Sequence, residues 1–158
     1  MIDRPSEADI PAILRMIREA GVFNAADVEC VDELLDDYFH KPDHGGYEFI
    51  VYRQEGRPVG VACYGATPLT VGTYDLYWLC VAPEARRGGI ARQLFGEMEA
   101  DLRRRGARLL VIETSGVDGY RPAREFYLAA GCQRQATIPD FYAPGDDLVI
   151  YTKRYGER

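Results

Sequence analysis

The stretch Leu79-Cys80-Val81-Ala82-Pro83-Glu84-Ala85-Arg86-Arg87-Gly88-Gly89-Ile90-Ala91-Arg92-Gln93-Leu94 runs from an apolar strand through a basic glycine turn into a helix. Beyond the turn, Ile90, Leu94 and Met98 recur at helical spacing with Ala91 and Phe95 beside them, which places the glycines at the start of the helix. A helix N-terminus leaves backbone N–H groups unpaired and carries a partial positive charge. Gly88, Gly89 and Ala91 are small enough to let an anion reach those groups, and Arg86, Arg87 and Arg92 add full charges. A diphosphate suits such a turn, although a glycine turn can also serve chain conformation alone. Two nucleotide motifs are excluded by inspection: the chain has neither Gly-x-x-x-x-Gly-Lys-Ser/Thr nor Gly-x-Gly-x-x-Gly.

The segment Arg86-x-x-Gly89-x-Ala91 follows the pattern Arg/Gln-x-x-Gly-x-Gly/Ala, and Ala123-x-x-Phe126-Tyr127-x-x-x-Gly131 lies downstream, where a helix ends at the glycine. In these two segments, in this order and spacing, the chain resembles the GNAT family of N-acetyltransferases. The resemblance implies one α/β domain over residues 1–158, of mixed α+β type. It further implies a mixed sheet of six to seven strands, splayed between the fourth and fifth and flanked by about four helices. Acetyl-CoA is then the co-substrate, without a metal. Leu79, Cys80 and Val81 would line its pantetheine arm, Arg86 would open the phosphate segment, and Arg87, Gly88, Gly89, Ile90, Ala91 and Arg92 would hold the phosphates. Tyr127 falls on the family tyrosine that protonates the departing thiolate, and a homodimer through the last strands is implied as well. The chain departs from the family at Tyr120, where asparagine is common, and at Cys132, where phenylalanine is.

A chain of 158 residues with 47% hydrophobic content accommodates one sizeable core. No apolar run approaches the roughly 18 residues of a membrane span, and no basic and apolar signal core opens the chain, so a soluble cytoplasmic protein is expected. The net charge of −6 argues against a nucleic-acid partner. Cys30, Cys63, Cys80 and Cys132 are widely spaced and read as reduced, mostly buried thiols. Cys80 admits two readings, a nucleophile beside the CoA arm or a small apolar strand residue. His40 and His44 are read as loop residues.

In chain order, Ser6 to Asp9 starts a helix whose stripe Ile10, Ile13, Leu14 and Ile17 ends at Gly21. A second helix is expected from about Ala25 to Phe39, with Glu29, Asp32, Glu33, Asp36 and Asp37 on its open face. Tyr47 to Arg53 and Pro58 to Gly65 form a hairpin around Gln54-Glu55-Gly56-Arg57, followed by a fourth strand, Thr73 to Val81. The helix Gly89 to Arg105 leads to the apolar run Arg108 to Glu113, which suits a strand buried on both faces and a right-handed parallel crossover. Gln133 to Ile138 and Leu148 to Lys153 supply the last strands, with Pro139 to Asp147 between them as a loop.

Acetyl transfer to an amine needs a neutral amine, a positioned carbonyl and a proton for the thiolate. Glu113, at the end of an apolar run that would raise its pKa, is the first candidate base, and in one branch of the resembled family a glutamate on this strand has that role. Asp75, which interrupts the fourth strand, is the second candidate. Tyr127 can equally be a core aromatic among 11 tyrosines. Asp36 and Asp37 with Phe141 and Tyr142 would form an acidic, aromatic approach for a cationic acceptor, or simply a solvated surface. The function expected is therefore an N-acetyltransferase acting on a small-molecule or protein amine. The alternative is a non-catalytic acyl-CoA-binding module.

Overall fold

The computed structural model describes residues 1–156. In chain order the elements are β1 (Ile2–Asp3), α1 (Ile10–Glu19), α2 (Ala25–His40), β2 (Glu48–Gln54), β3 (Arg57–Ala66), β4 (Thr73–Val81), α3 (Ile90–Arg104), β5 (Leu109–Ser115), α4 (Arg121–Ala129), β6 (Gln133–Ala143) and β7 (Asp146–Arg154). They build one seven-stranded mixed sheet in the order β1-β2-β3-β4-β5-β7-β6, in which only β4 and β5 run parallel. The fold class and the four helices match expectation.

Side-chain alternation assigns the two faces. Tyr64 donates to Asp101 of α3 at 2.7 Å, so Tyr64 and its partner Leu76 face α3. The Cys80 thiol lies 3.8 Å from the Met16 carbonyl of α1, so Cys80 and its partner Val61 face α1. Helix α3 seats Ile90, Leu94, Met98 and Leu102 in the core, each side chain contributing about 1.5–3 kcal/mol of burial. Its N-terminal turn comes unusually close to the sheet because Gly60 lies beneath it. A Cβ there would fall 2.8 Å from Ile90 Cγ2 and 2.9 Å from Leu94 Cδ1. Gly60 thereby sets the depth of the turn at Arg86 to Arg92.

The elements differ from the sequence reading in four places. The β2–β3 hairpin closes through two residues, Glu55 and Gly56, both at positive φ as a type I′ turn requires. Pro139 to Asp147 is not a loop: β6 continues to Ala143, and only Pro144 and Gly145 connect it to β7. An edge strand tolerates a proline, and the pairing is irregular from Ile138 to Ala143. His40 closes α2, with its ring Nδ1 3.0 Å from the Asp36 carbonyl, instead of lying in a loop. Strand β5 is not buried on both faces: Leu110, Ile112 and Thr114 are sealed, whereas Glu113 is exposed.

The N-terminal segment is held by Arg53. Its guanidinium reaches Asp3 at 2.7 Å and Asp9 at 2.7 Å, joining β1 and the start of α1 to the hairpin. Hydrogen bonding from Arg53 holds the Asp9 carboxyl below its ordinary value of 3.8. A depressed carboxyl stabilises the fold above its unfolded pKa, and that stabilisation is lost as pH falls through the lower folded value. Asp9→Asn should therefore lower the thermal midpoint at neutral pH and flatten the loss of stability in the acid range. Thermal melts from pH 7 down to pH 2 measure both effects; an unchanged acid limb would deny the Arg53–Asp9 pair its role.

Candidate active site

Strands β4 and β5 pair only from Thr73–Leu109 to Leu76–Ile112. Past that point β4 stays with β3 as far as Val81–Gly60, and β5 stays with β7 as far as Ser115–Leu148. A register shift in the β3–β4 ladder leaves Tyr77 as an extra residue, and such a bulge bends its strand. The sheet therefore splits beyond Leu76 and Ile112, and backbone groups of Tyr77 to Val81 face a gap instead of a neighbouring strand. Leu79, Cys80 and Val81 lie on this free edge. The Cys80 side chain is buried in the core, and burial pushes its thiol up to about 11.

The turn after β4 is a single 3₁₀ turn, Pro83–Ala85, followed by Arg87 and Gly89 in the left-handed region at φ 70° and 75°. The first bond of α3 is Gln93 N–H to the Gly89 carbonyl at 3.1 Å. Among the described residues, no backbone N–H from Arg87 through Arg92 finds an acceptor, and no side chain caps the helix. These donors are aimed past the end of α3 at the mouth of the split. Arg87 and Arg92 are exposed and pair with no acid among the described residues. Arg86 behaves differently. Its guanidinium turns back to the carbonyls of Val81 at 3.4 Å and Ala20 at 3.3 Å, bracing the turn against the end of α1.

Tyr127 is the one buried residue of α4, with ring centroids 5.7 Å from Phe126 and 5.9 Å from Tyr151. Burial raises its pKa, so the phenol stays protonated. Its hydroxyl has no hydrogen-bond partner among the described residues, yet it is not sealed from solvent. Asp75 and Glu113 stand on the other face, on either side of the point where the strands part. Asp75 is opposite Val111, and Glu113 lies two residues further along β5. Asp75 is half-buried and accepts bonds from Thr67 Oγ1 at 2.6 Å and the Tyr77 hydroxyl at 3.3 Å. Glu113 lacks the burial expected of it, because it lies past the last residue of β5 that pairs with β4.

On the face of Asp75 the split is crossed by aromatic residues that the sequence reading did not connect. Phe23, between α1 and α2, meets Trp78 edge-on at 5.2 Å and Tyr120 at 6.1 Å. The sole tryptophan, in a strand beside the phosphate turn, was the available signal. Burial, then Asp27 and Asp146, push the Tyr120 hydroxyl up to about 12; burial, then Glu113 and Asp146, raise Tyr142. Asp146 accepts from Ser115 Oγ, two residues beyond Glu113 on the same face of β5, and pairs with Ala143 next to Tyr142. Phe141 is exposed and edge-on to Tyr142 at 5.0 Å. Asp36 and Asp37 lie elsewhere, about 15 Å along α2 from Asp27, where they face His40 and Lys41 at 3.0 Å each. A cavity of about 520 Å³ between α1 and α2 shares Phe23 with the site, and another of about 790 Å³ opens at the far end of β4 around Tyr38, His44 and Tyr74.

The model of the acetyltransferase (GNAT) family matches residues 12–132. Among solved structures, a GNAT-family protein from Desulfovibrio desulfuricans is 37% identical, with 98% of each chain covered and a TM-score of 0.94. A ribosomal-protein-alanine N-acetyltransferase from Brucella melitensis shares the fold at 23% identity, covering 98% of this chain and 99% of its own, with a TM-score of 0.78. An aminoglycoside 6′-N-acetyltransferase complexed with coenzyme A does so at 16% identity, covering 100% and 98%, with a TM-score of 0.76. No curated protein matches the chain in sequence. With the two signature segments at the split and the family match over most of its length, the chain belongs to the acetyltransferase (GNAT) family.

Proposed function

We propose that the protein transfers an acetyl group from acetyl-CoA directly to a primary amine, without an acyl-enzyme stage. The observation that carries this reading is the run of unpaired N–H groups from Arg87 through Arg92, set between free arginines at the mouth of the split. Such a run suits a pyrophosphate, which accepts several charge-assisted bonds at once. The free edge of Tyr77 to Val81 offers the strand-like backbone partners that a pantetheine arm needs. The donor set therefore fits CoA. The thioester supplies an activated acetyl group, so a C–N bond forms as the C–S bond breaks.

The chain's own residues then divide the proton work. The ammonium of the acceptor must lose a proton before attack, and a base must be within reach and held there. Asp75 meets the second condition through Thr67 and Tyr77, so we assign the base to Asp75. Glu113, exposed near Tyr142 and Asp146, holds the incoming cation instead. Tyr127, protonated and with a free hydroxyl, gives its proton to the departing thiolate. Phe23, Trp78 and Tyr120 exclude water from the acceptor side of the split.

The phosphate assignment predicts an effect of Gly88→Ala that folding does not share. A Cβ at Gly88 would meet only the Ala85 carbonyl at 3.6 Å, an ordinary contact, so the thermal midpoint should not move. The same methyl stands where a phosphate would approach, and titration calorimetry with CoA should show affinity falling by about tenfold or more. Unchanged affinity would put the phosphates elsewhere.

Tyr127→Phe should fold and bind acetyl-CoA normally while turnover of the best amine falls on the order of 10²-fold. Asp75→Asn should lose kcat/KM by a similar factor, and Glu113→Gln by less than about tenfold, mainly in KM. Steady-state thiol release over a panel of amines measures all three. Wild-type turnover in Tyr127→Phe would make Tyr127 a core residue, and a larger loss in Glu113→Gln than in Asp75→Asn would exchange the roles of the two acids.

A further inference from the structure

Helix α4 buries only Tyr127 fully and lays Ala123 and Phe126, half-buried, against the core. Two cations tie it to its neighbours. Arg124 reaches back to the carbonyls of Ser115 at 2.8 Å and Val117 at 2.7 Å, fastening the first half of the helix to the end of β5. At the other end the Lys153 ammonium, from β7, donates to the Ala130 carbonyl at 2.7 Å. The same ammonium lies 2.8 Å from Oε2 of Glu99, a largely buried acid on α3, in an ion pair that lacks hydrogen-bond alignment. It also stands 5.6 Å from the centroid of Phe95, whose ring meets Phe126 edge-on at 5.7 Å.

The close of α4 is shaped around that lysine. Cys132 N–H bonds the Tyr127 carbonyl at 3.0 Å and Gly131 N–H bonds the Leu128 carbonyl at 3.1 Å, the two bonds of a Schellman cap. Gly131 takes the left-handed φ of 92° that the cap demands, and a Cβ there would press on Lys153 Cε at 3.3 Å and Nζ at 3.4 Å. The Tyr127 backbone is therefore one cap bond away from a carbonyl tied through Lys153 to α3, the helix that begins at the phosphate turn.

We propose that Lys153 is a positioning residue for acetyl transfer: anchored by Glu99, it fixes the end of α4 so that the Tyr127 hydroxyl meets the split at a set depth. The inference rests on Tyr127 being the proton donor. A misplacement of about 1 Å at such a group can cost on the order of 10² in rate, so a tether far from the reacting atoms can matter. A lysine that merely caps a helix would add stability and leave the chemistry alone.

A double-mutant cycle separates the two roles. Lys153→Met keeps the length of the side chain and removes the charge. It should lower kcat about tenfold with the KM of the amine unchanged, and by less than about twofold when Tyr127 is already phenylalanine. Glu99→Gln, which keeps its shape and loosens the lysine, should show the same pattern at smaller amplitude and decides the matter alone if Lys153→Met fails to fold. Equal losses in the two backgrounds, or no loss in the wild-type background, would overturn the positioning role while leaving the donor assignment standing. Full activity of Tyr127→Phe by itself would overturn both.

Discussion

The arrangement depends on a conflict of allegiance between two parallel strands. β4 is bonded to β3 along its whole length and β5 to β7 along its whole length, yet the two share only the four pairs from Thr73–Leu109 to Leu76–Ile112. Beyond those pairs each strand follows its own antiparallel partner, and the gap is what remains. Backbone donors and acceptors on a sheet interior are seldom left unpaired, so a split of this kind demands an occupant that can bond like a strand. The end of the same split receives the N-terminus of α3, whose depth is set by the missing side chain of Gly60. One interruption in the ladder thus provides both a place for an extended arm and a place for its charged end.

Several cations in this protein tie one element to another. Arg53 gathers β1 and the start of α1, Arg86 ties the phosphate turn to the end of α1, Arg124 and Lys153 suspend α4, and Arg105 joins Asp101 of its own helix to Glu48 of β2. Where such a pair is shielded from water, as Arg53 and Asp9 are, removing one partner costs more than the pair itself contributes, because the other charge is left without its hydrogen bonds. Arg87 and Arg92, beside the unpaired N–H groups of the turn, brace nothing among the described residues. Their contrast with Arg86 divides the three arginines of the basic turn into one that holds the turn and two that are open to an anion.

Much of this was legible in the sequence where the signal is local. The glycine turn, the stripe Ile90, Leu94, Met98 and the boundaries of β4 follow from spacing alone, and the Ala123 to Gly131 segment predicted a helix that closes at the glycine. What was missed depends on pairing between distant segments. Glu113 reads as the buried end of an apolar run, but its exposure follows from lying one residue past the last β4 contact, which no local pattern records. Pro139 reads as a breaker, yet an edge strand has no neighbour waiting for its N–H. The contacts of Phe23 with Trp78 and of Lys153 with Ala130 join segments whose proximity exists only once the sheet has formed.

The central claim is that the N–H groups from Arg87 through Arg92 are unpaired because they are reserved for the phosphates of CoA. Amide hydrogen exchange, followed residue by residue with and without saturating CoA, tests it most directly. Exchange in the free protein should be fast across Arg87 to Arg92 and should slow on binding there and at the free edge of Tyr77 to Val81, with the rest of α3 little changed. Exchange already slow in the free protein, or binding of CoA that leaves these amides as fast as before, would contradict the account.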